Sequence, residues 1–164
     1  MNAGAMGAWT FDVVQSIRVM NRGGIAEELP VSQVATEYRK CPLLVDHIAL
    51  GAVFQGTAAS PEEIQSRMNT YSKKRWESQP AQPSAGCIFK NPSSIPAGKL
   101  IDELGLKGMR IGAAMVSDVH GNFIVNQGSA TSADVLKLIE AIQKKVREAR
   151  GIELETEVEI LGES

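Results

Sequence analysis

The sequence is poor in cysteine. It has two in 164 residues, Cys41 and Cys87, which is too few for a disulfide framework. A reducing compartment is therefore the default expectation. Histidine is also scarce: His47 and His120 lie far apart, without metal-ligand spacing, so no metal site is expected. There is no surplus of positive charge. A net charge of -2 excludes the basic footprint of a nucleic-acid binder. No apolar run is long enough to span a bilayer, so no membrane partner is expected. The start, Met1 to Gly7, lacks the basic region of a signal peptide, and a cytoplasmic location is expected. No GxGxxG opens a helix, no GxxxxGK[ST] occurs, and there is no internal repeat or low-complexity tract.

What is present is ordinary for a globular protein: 43% hydrophobic and 22% charged residues. The length permits one domain or two small ones and can bury a core without covalent staples. Residues 13–20 (VVQSIRVM) are rich in β-branched side chains and read as a strand. Asn21-Arg22-Gly23-Gly24 is a turn signal, and residues 25–29 can return as a second strand. Residues 47–55 alternate, with Ile48, Leu50, Ala52 and Phe54 on one face, which predicts a half-buried strand. Ser60, Pro61 and Glu63 form a helix-start signature for a helix to about Glu77. Residues 78–96 hold four prolines and an apolar insert, Cys87-Ile88-Phe89, which reads as a boundary packed against something.

Beyond residue 84 the pattern is α+β. Ala97 to Leu104 reads as a short helix stopped by Gly105, with Leu100, Ile101 and Leu104 inward. Residues 110–117 and 122–126 read as strands around a turn at Asp118 to Gly121. Thr131 and Asp134 open the strongest helix, with the stripe Val135, Leu138, Ile139, Ile142 and Val146 and a stop at Gly151. Residues 157–161 read as a final strand, with Glu157 and Glu159 on one side and Val158 and Ile160 on the other.

Several residues are candidates for chemistry. The small-residue segment Asn2 to Ala8 lets backbone approach a ligand closely, or it is a frayed terminus. Cys87 lies beside Gly86 and near Lys90. It is either a thiol of lowered pKa or a buried, inert cysteine. Arg39 can offer its planar fork to a carboxylate or phosphate, as most surface arginines do not. Residues alone stop at an α+β domain that binds a ligand.

The motifs together go further. Asn2-Ala3-Gly4-Ala5-x-Gly7 resembles the N-A-G-A-[YF]-G segment of UDP-N-acetylenolpyruvoylglucosamine reductases, and Tyr38-Arg39 resembles their Y-R-x-S. SAGCIFKNP, residues 84–92, is similar to A-G-S-x-F-K-N-P, and residues 97–114 to A-G-x-L-I-x-x-x-G-L-K-G-x-x-I-G-G-A. HGNFIVN at 120–126 and ELETEVEILG at 153–162 resemble the closing motifs. The similarity runs the length of the chain in the family's order. The short connection between the Phe54 strand and the Ser60 helix resembles the family type that lacks a tyrosine-bearing substrate loop.

The resemblance implies an oxidoreductase using FAD and NADPH to reduce UDP-N-acetylglucosamine-enolpyruvate to UDP-N-acetylmuramate for peptidoglycan. It implies two parts. Residues 1–83 are the remnant of the second FAD-binding subdomain with a linking helix. Residues 84–164 are the C-terminal substrate-binding, catalytic domain. Carried over by motif, Cys87 takes the proton-donor position and Arg39 and Glu157 stabilise the developing enol. Lys90, Asn91 and Arg110 fall on substrate-contacting positions, and Asn2, Ala3, Gly4 and Ala5 on the flavin-contacting loop. Departures exist: Cys41 stands for the family's Ser, and Ala8 and Ala113 for glycines. The family's first flavin subdomain and pyrophosphate loops have no counterpart here, so the resemblance implies an incomplete FAD surface and a truncated chain. Two alternatives are a non-catalytic UDP-sugar-binding or interaction module and an inactive gene fragment.

Overall fold

The computed structural model describes residues 2–162 and divides the chain into two compact units, the first running to Tyr71 and the second beginning at Ser72. The first unit opens with a small hairpin, β1 (Gly4–Ala5) and β2 (Ala8–Trp9). Its turn residues Met6 and Gly7 have φ of 53° and 81°. Next come β3 (Val14–Asn21), β4 (Ala26–Pro30), the one-turn helix α1 (Leu43–Asp46) and β5 (His47–Phe54). The strand order β4-β3-β5 is antiparallel throughout. The expected β3–β4 hairpin forms as the turn residues require. The Asn21 side-chain oxygen accepts from Gly23 N at 2.9 Å and Ile25 N at 3.1 Å, and Gly24 takes a positive φ.

The core of this unit is small: Val14, Ile17, Val19, Val34 and Cys41, flanked by Phe11, Leu29 and Leu43. A bulge in β3 between Val14 and Ser16 shifts the inward parity, so Val14 and Ile17 are both buried.

β5 departs from expectation. Both of its faces are exposed, with Ile48 60% and Phe54 61% accessible. A second register shift, between the Arg18–Gly51 and Val19–Ala49 pairs, inserts Leu50 as the extra residue. The bulge breaks the alternation that would have put Ile48, Leu50, Ala52 and Phe54 on one side. β5 closes one side of the sheet, and no further strand lies beside it among the described residues.

Helix α2 (Pro61–Ser78) starts as read: Ser60 N donates to Glu63 Oε2 at 2.9 Å and Glu63 N to Ser60 Oγ at 3.2 Å. None of its residues is buried, and the unit boundary falls inside it.

The second unit is an antiparallel sheet of order β6-β9-β8-β7 with two helices. Its elements are β6 (Ser84–Cys87), α3 (Ala97–Glu103), β7 (Arg110–Ile111), β8 (Ala114–Val116), β9 (Phe123–Asn126) and α4 (Ser132–Arg150). α4 forms as its pattern dictates. Asp134 N donates to Thr131 Oγ1 at 3.1 Å, Thr131 N donates to Asp134 Oδ2 at 2.9 Å, and Gly151 ends the helix at φ 65°. Leu138, Ile139, Ile142 and Val146 are buried against Ile88, Phe89, Leu100, Ile101, Val116 and Ile124. Burial of this stripe is the main stabilising force of the unit.

Two strand assignments are corrected. Residues 110–117 are not one strand but a hairpin, β7 and β8, turning at Gly112-Ala113. Gly112 sits at φ 56°, where a Cβ would lie 2.5 Å from the Asp134 carboxyl carbon. The chain turns there because only glycine fits beneath the α4 cap. Residues 157–161 do not form a strand. Just before it Thr156 makes one bridge with Phe89, and backbone pairing stops at the bond from Glu157 N to Ile88 O. Gly86, at φ 83°, takes β6 out of extended geometry, so no continuous edge is offered beyond Ile88.

Candidate active site

In the second unit the site is built on the segment Cys87 to Asn91. This segment runs between β9 and the chain's final stretch. On one side Cys87 pairs with Phe123, and Ile88 N donates to Asn122 O at 2.9 Å. On the other, Glu157 N donates to Ile88 O at 2.7 Å and Lys90 N to Glu155 O at 2.9 Å. The structure therefore brings Cys87 and Glu157 onto adjacent backbone. Both side chains are half-buried. A groove of about 650 Å³, lined by Ala85, Ile88, Val135, Ile139, Val158 and Leu161, flanks the segment.

Lys90 and Asn91 have local tasks as well. Lys90 Nζ pairs with Glu155 Oε2 at 3.0 Å, so its charge is partly answered within the unit. Asn91 Oδ1 accepts from Ala97 N at 3.0 Å, which fixes the start of α3. Arg110 stands apart from this group. β7 is three places from β6 in the sheet, about 14 Å at ordinary strand spacing. Its Nε donates to Met115 Sδ at 3.0 Å.

The residue that motif reading missed is Asn122. It is 3% exposed. Its Oδ1 accepts from Phe89 N at 2.9 Å and its Nδ2 donates to Phe89 O at 2.8 Å. This bidentate clasp holds the segment that carries Cys87. A polar residue opening an apolar strand, Asn122-Phe123-Ile124-Val125, was the available signal. His120 lies close by, its ring 5.0 Å from Phe123 and its Nδ1 accepting from Asn122 N at 3.1 Å. Burial, then the nearby Lys107 charge, lowers the His120 pKa from the ordinary 6.5, which favours the neutral acceptor.

In the first unit Arg39 occupies a tight turn. Glu37 and Lys40 exchange both backbone bonds, at 3.0 and 3.1 Å, leaving Tyr38 and Arg39 as the central residues. Arg39 takes φ 56°, the left-handed region that a third-position turn residue of this kind demands and that side chains resist. Its guanidinium carbon lies 5.0 Å from the centre of the Tyr38 ring. A cavity of about 550 Å³ is lined by Asn2, Trp9, Asp12, Thr36, Glu37 and Tyr38 among others. The hairpin segment and the Arg39 turn are thus gathered at one concavity of this unit. Asn2 is buried, and its Oδ1 accepts from Phe11 N at 3.3 Å, so its side chain also closes the hairpin. Ala3, Ala5 and Ala8 are exposed and leave backbone accessible.

No helix among the described residues is long and apolar enough to cross a membrane. The family model for the C-terminal domain of UDP-N-acetylenolpyruvoylglucosamine reductase matches residues 79–161. A reductase of that name from Caulobacter vibrioides is 41% identical over 165 residues, which is 99% of this chain and 55% of the relative. One from Bacillus licheniformis is 44% identical over 166 residues, covering 99% of this chain and 90% of the relative. The crystal structure of the reductase (MurB) from Thermus caldophilus superposes with a TM-score of 0.83 at 39% identity, over 97% of this chain and 57% of the other. The chain spans about half the length of most of the relatives it matches. On these matches, which agree with the mixed fold and the motif order, the chain belongs to the UDP-N-acetylenolpyruvoylglucosamine reductase family.

Proposed function

We propose that this chain carries the proton donor and the enol-stabilising groups for reduction of UDP-N-acetylglucosamine-enolpyruvate to UDP-N-acetylmuramate. The observation that supports this most is the 2.7 Å bond from Glu157 N to Ile88 O, which joins the Glu157 backbone to the residue that follows Cys87. FAD, reduced by NADPH, would supply the hydride when bound. The exposed small residues Ala3, Ala5 and Ala8 of the hairpin fit close approach of a planar ring to backbone.

The roles follow from charge. Hydride addition to one alkene carbon leaves enolate-like charge on the substrate carboxylate. Arg39 meets that charge with a permanent cation. Glu157 joins Arg39 as the second enol-stabilising group by its motif position. The Cys87 thiol then gives its proton to the other carbon, completing saturation of the double bond. Lys90, Asn91 and Arg110 supply polar contacts to the sugar nucleotide. Residues 84–164 form the substrate domain in this reading, and the reaction belongs to the cytoplasmic stage of peptidoglycan precursor synthesis.

The test uses the reductase completed by joining this chain to the preceding part of one of its relatives. Cys87→Ala should stop substrate reduction while NADPH still bleaches the flavin absorbance at its normal rate. Cys87→Ser should retain measurable product by mass spectrometry. Loss of both half-reactions together in Cys87→Ala would remove Cys87 from the proton-donor role.

A further inference from the structure

Trp9 does something that neither motif nor family position assigns. It is the cross-strand partner of Gly4 in the β1–β2 hairpin, and its indole lies over that glycine: a Cβ at Gly4 would sit 2.7 Å from Trp9 Cε3. An aromatic covering a cross-strand glycine fixes the ring against backbone. The backbone is fixed as well. Trp9 N donates to Asp12 Oδ2 at 2.6 Å, and Thr10 N donates to Ala3 O at 2.8 Å. The same indole meets the Tyr38 ring edge-on, with centroids 6.1 Å apart and planes at 88°. Tyr38 in turn carries the Arg39 guanidinium on its face at 5.0 Å. Gly4, Trp9, Tyr38 and Arg39 form one continuous stack from the hairpin to the turn.

We propose that Trp9 is a positioning residue for Arg39. It orients Tyr38, and Tyr38 sets the direction of the guanidinium, tying Arg39 to the Asn2–Ala5 segment. The value of this placement to catalysis rests on the reading of Arg39 given above. The geometry of the stack does not. Two contacts and one backbone feature carry the argument. The edge-to-face pair is directional, so the Tyr38 ring plane follows the indole. The guanidinium prefers the ring face, so it follows Tyr38. Arg39 sits in a disfavoured backbone region at a two-residue turn, a conformation that persists where the surrounding structure holds it.

The experiment is nitrogen-15 NMR of the full chain without substrate or flavin, following the Arg39 Nε–H resonance. In the native chain it should be displaced by the Tyr38 ring current and ordered. In Trp9→Ala it should lose that displacement, and its order parameter should fall below about 0.6. The Val14–Asn21 amides should stay in place. Trp9→Phe, which keeps an aromatic edge, should restore both signals, and Trp9→Leu, which keeps bulk alone, should not. If Trp9→Ala unfolds the unit, the Phe and Leu variants decide between them. An unmoved Arg39 signal in Trp9→Ala, or equal signals in the Phe and Leu variants, overturns the proposal. Failure of the reductase reading would show instead in the Cys87 assay and would leave these spectra unchanged.

Discussion

Replacing Asn122 by alanine removes both bonds of the clasp on Phe89. Phe89 is 1% exposed, so its amide and carbonyl would be stranded away from water. Each orphaned buried group costs about 1–3 kcal/mol, and two cost about 2–6. The space left by the amide admits some solvent, which puts the expected loss at about 3 kcal/mol. For a unit of under a hundred residues that is a fall of about 15 °C in melting temperature. The assay is urea denaturation followed by circular dichroism at a helix wavelength, since α3 and α4 lie in this unit. The midpoint should drop with an unchanged slope. Asn122→Asp gives a second arm. It keeps the acceptor for Phe89 N but aims a carboxylate at Phe89 O, so it should be at least as damaging at neutral pH. Acidification lets the protonated carboxyl donate again and should recover part of the loss. A loss below about 1 kcal/mol in Asn122→Ala would refute the claim that this amide carries the segment.

Other outcomes follow from the same reasoning. Arg39→Gly should leave stability within about 1 kcal/mol, because relief of the left-handed backbone offsets the entropy of the new glycine, whereas Arg39→Val should cost about 1–2 kcal/mol. Equal melting curves for the two would show that the turn holds no strain. Asp134 accepts from the Thr131 backbone and hydroxyl, which lowers its pKa from the ordinary 3.8. A depressed carboxyl stabilises the fold above its unfolded pKa, and that contribution fades as pH falls through the folded value. The native chain should therefore lose melting temperature below about pH 4 more steeply than Asp134→Asn. Parallel curves would remove the α4 cap as the cause.

Much of the second unit was legible because its signals are local. The Thr131–Asp134 box, the α4 stripe and Gly151 all speak within a turn or two of helix. The same holds for Ser60–Glu63 and for the Asn21 turn. The misread parts depend on distant neighbours. Gly112 turns the chain because Asp134 lies over it, and Gly86 ends the pairing that residues 157–161 would have joined. At β5, a one-residue bulge undid an alternation that looked clean on paper. The candidate site divides in the same way. Cys87, Glu157 and Arg39 stood out through motifs. Asn122 and Trp9 act through contacts 33 and 29 residues away in sequence, where no periodicity points to them.

The edge at β5 has a consequence for the polypeptide in solution. Its eight residues, HIALGAVF, contain no proline and no lysine, arginine, aspartate or glutamate. They lack the charged and proline gatekeepers that keep one sheet from adding to another, and the Leu50 bulge is the device that interrupts the edge. A row of backbone donors and acceptors flanked by Ile48, Val53 and Phe54 is a template for any extended strand, including the same strand of a second molecule. Left uncovered, this edge is the surface on which one copy of the chain would add to the sheet of another.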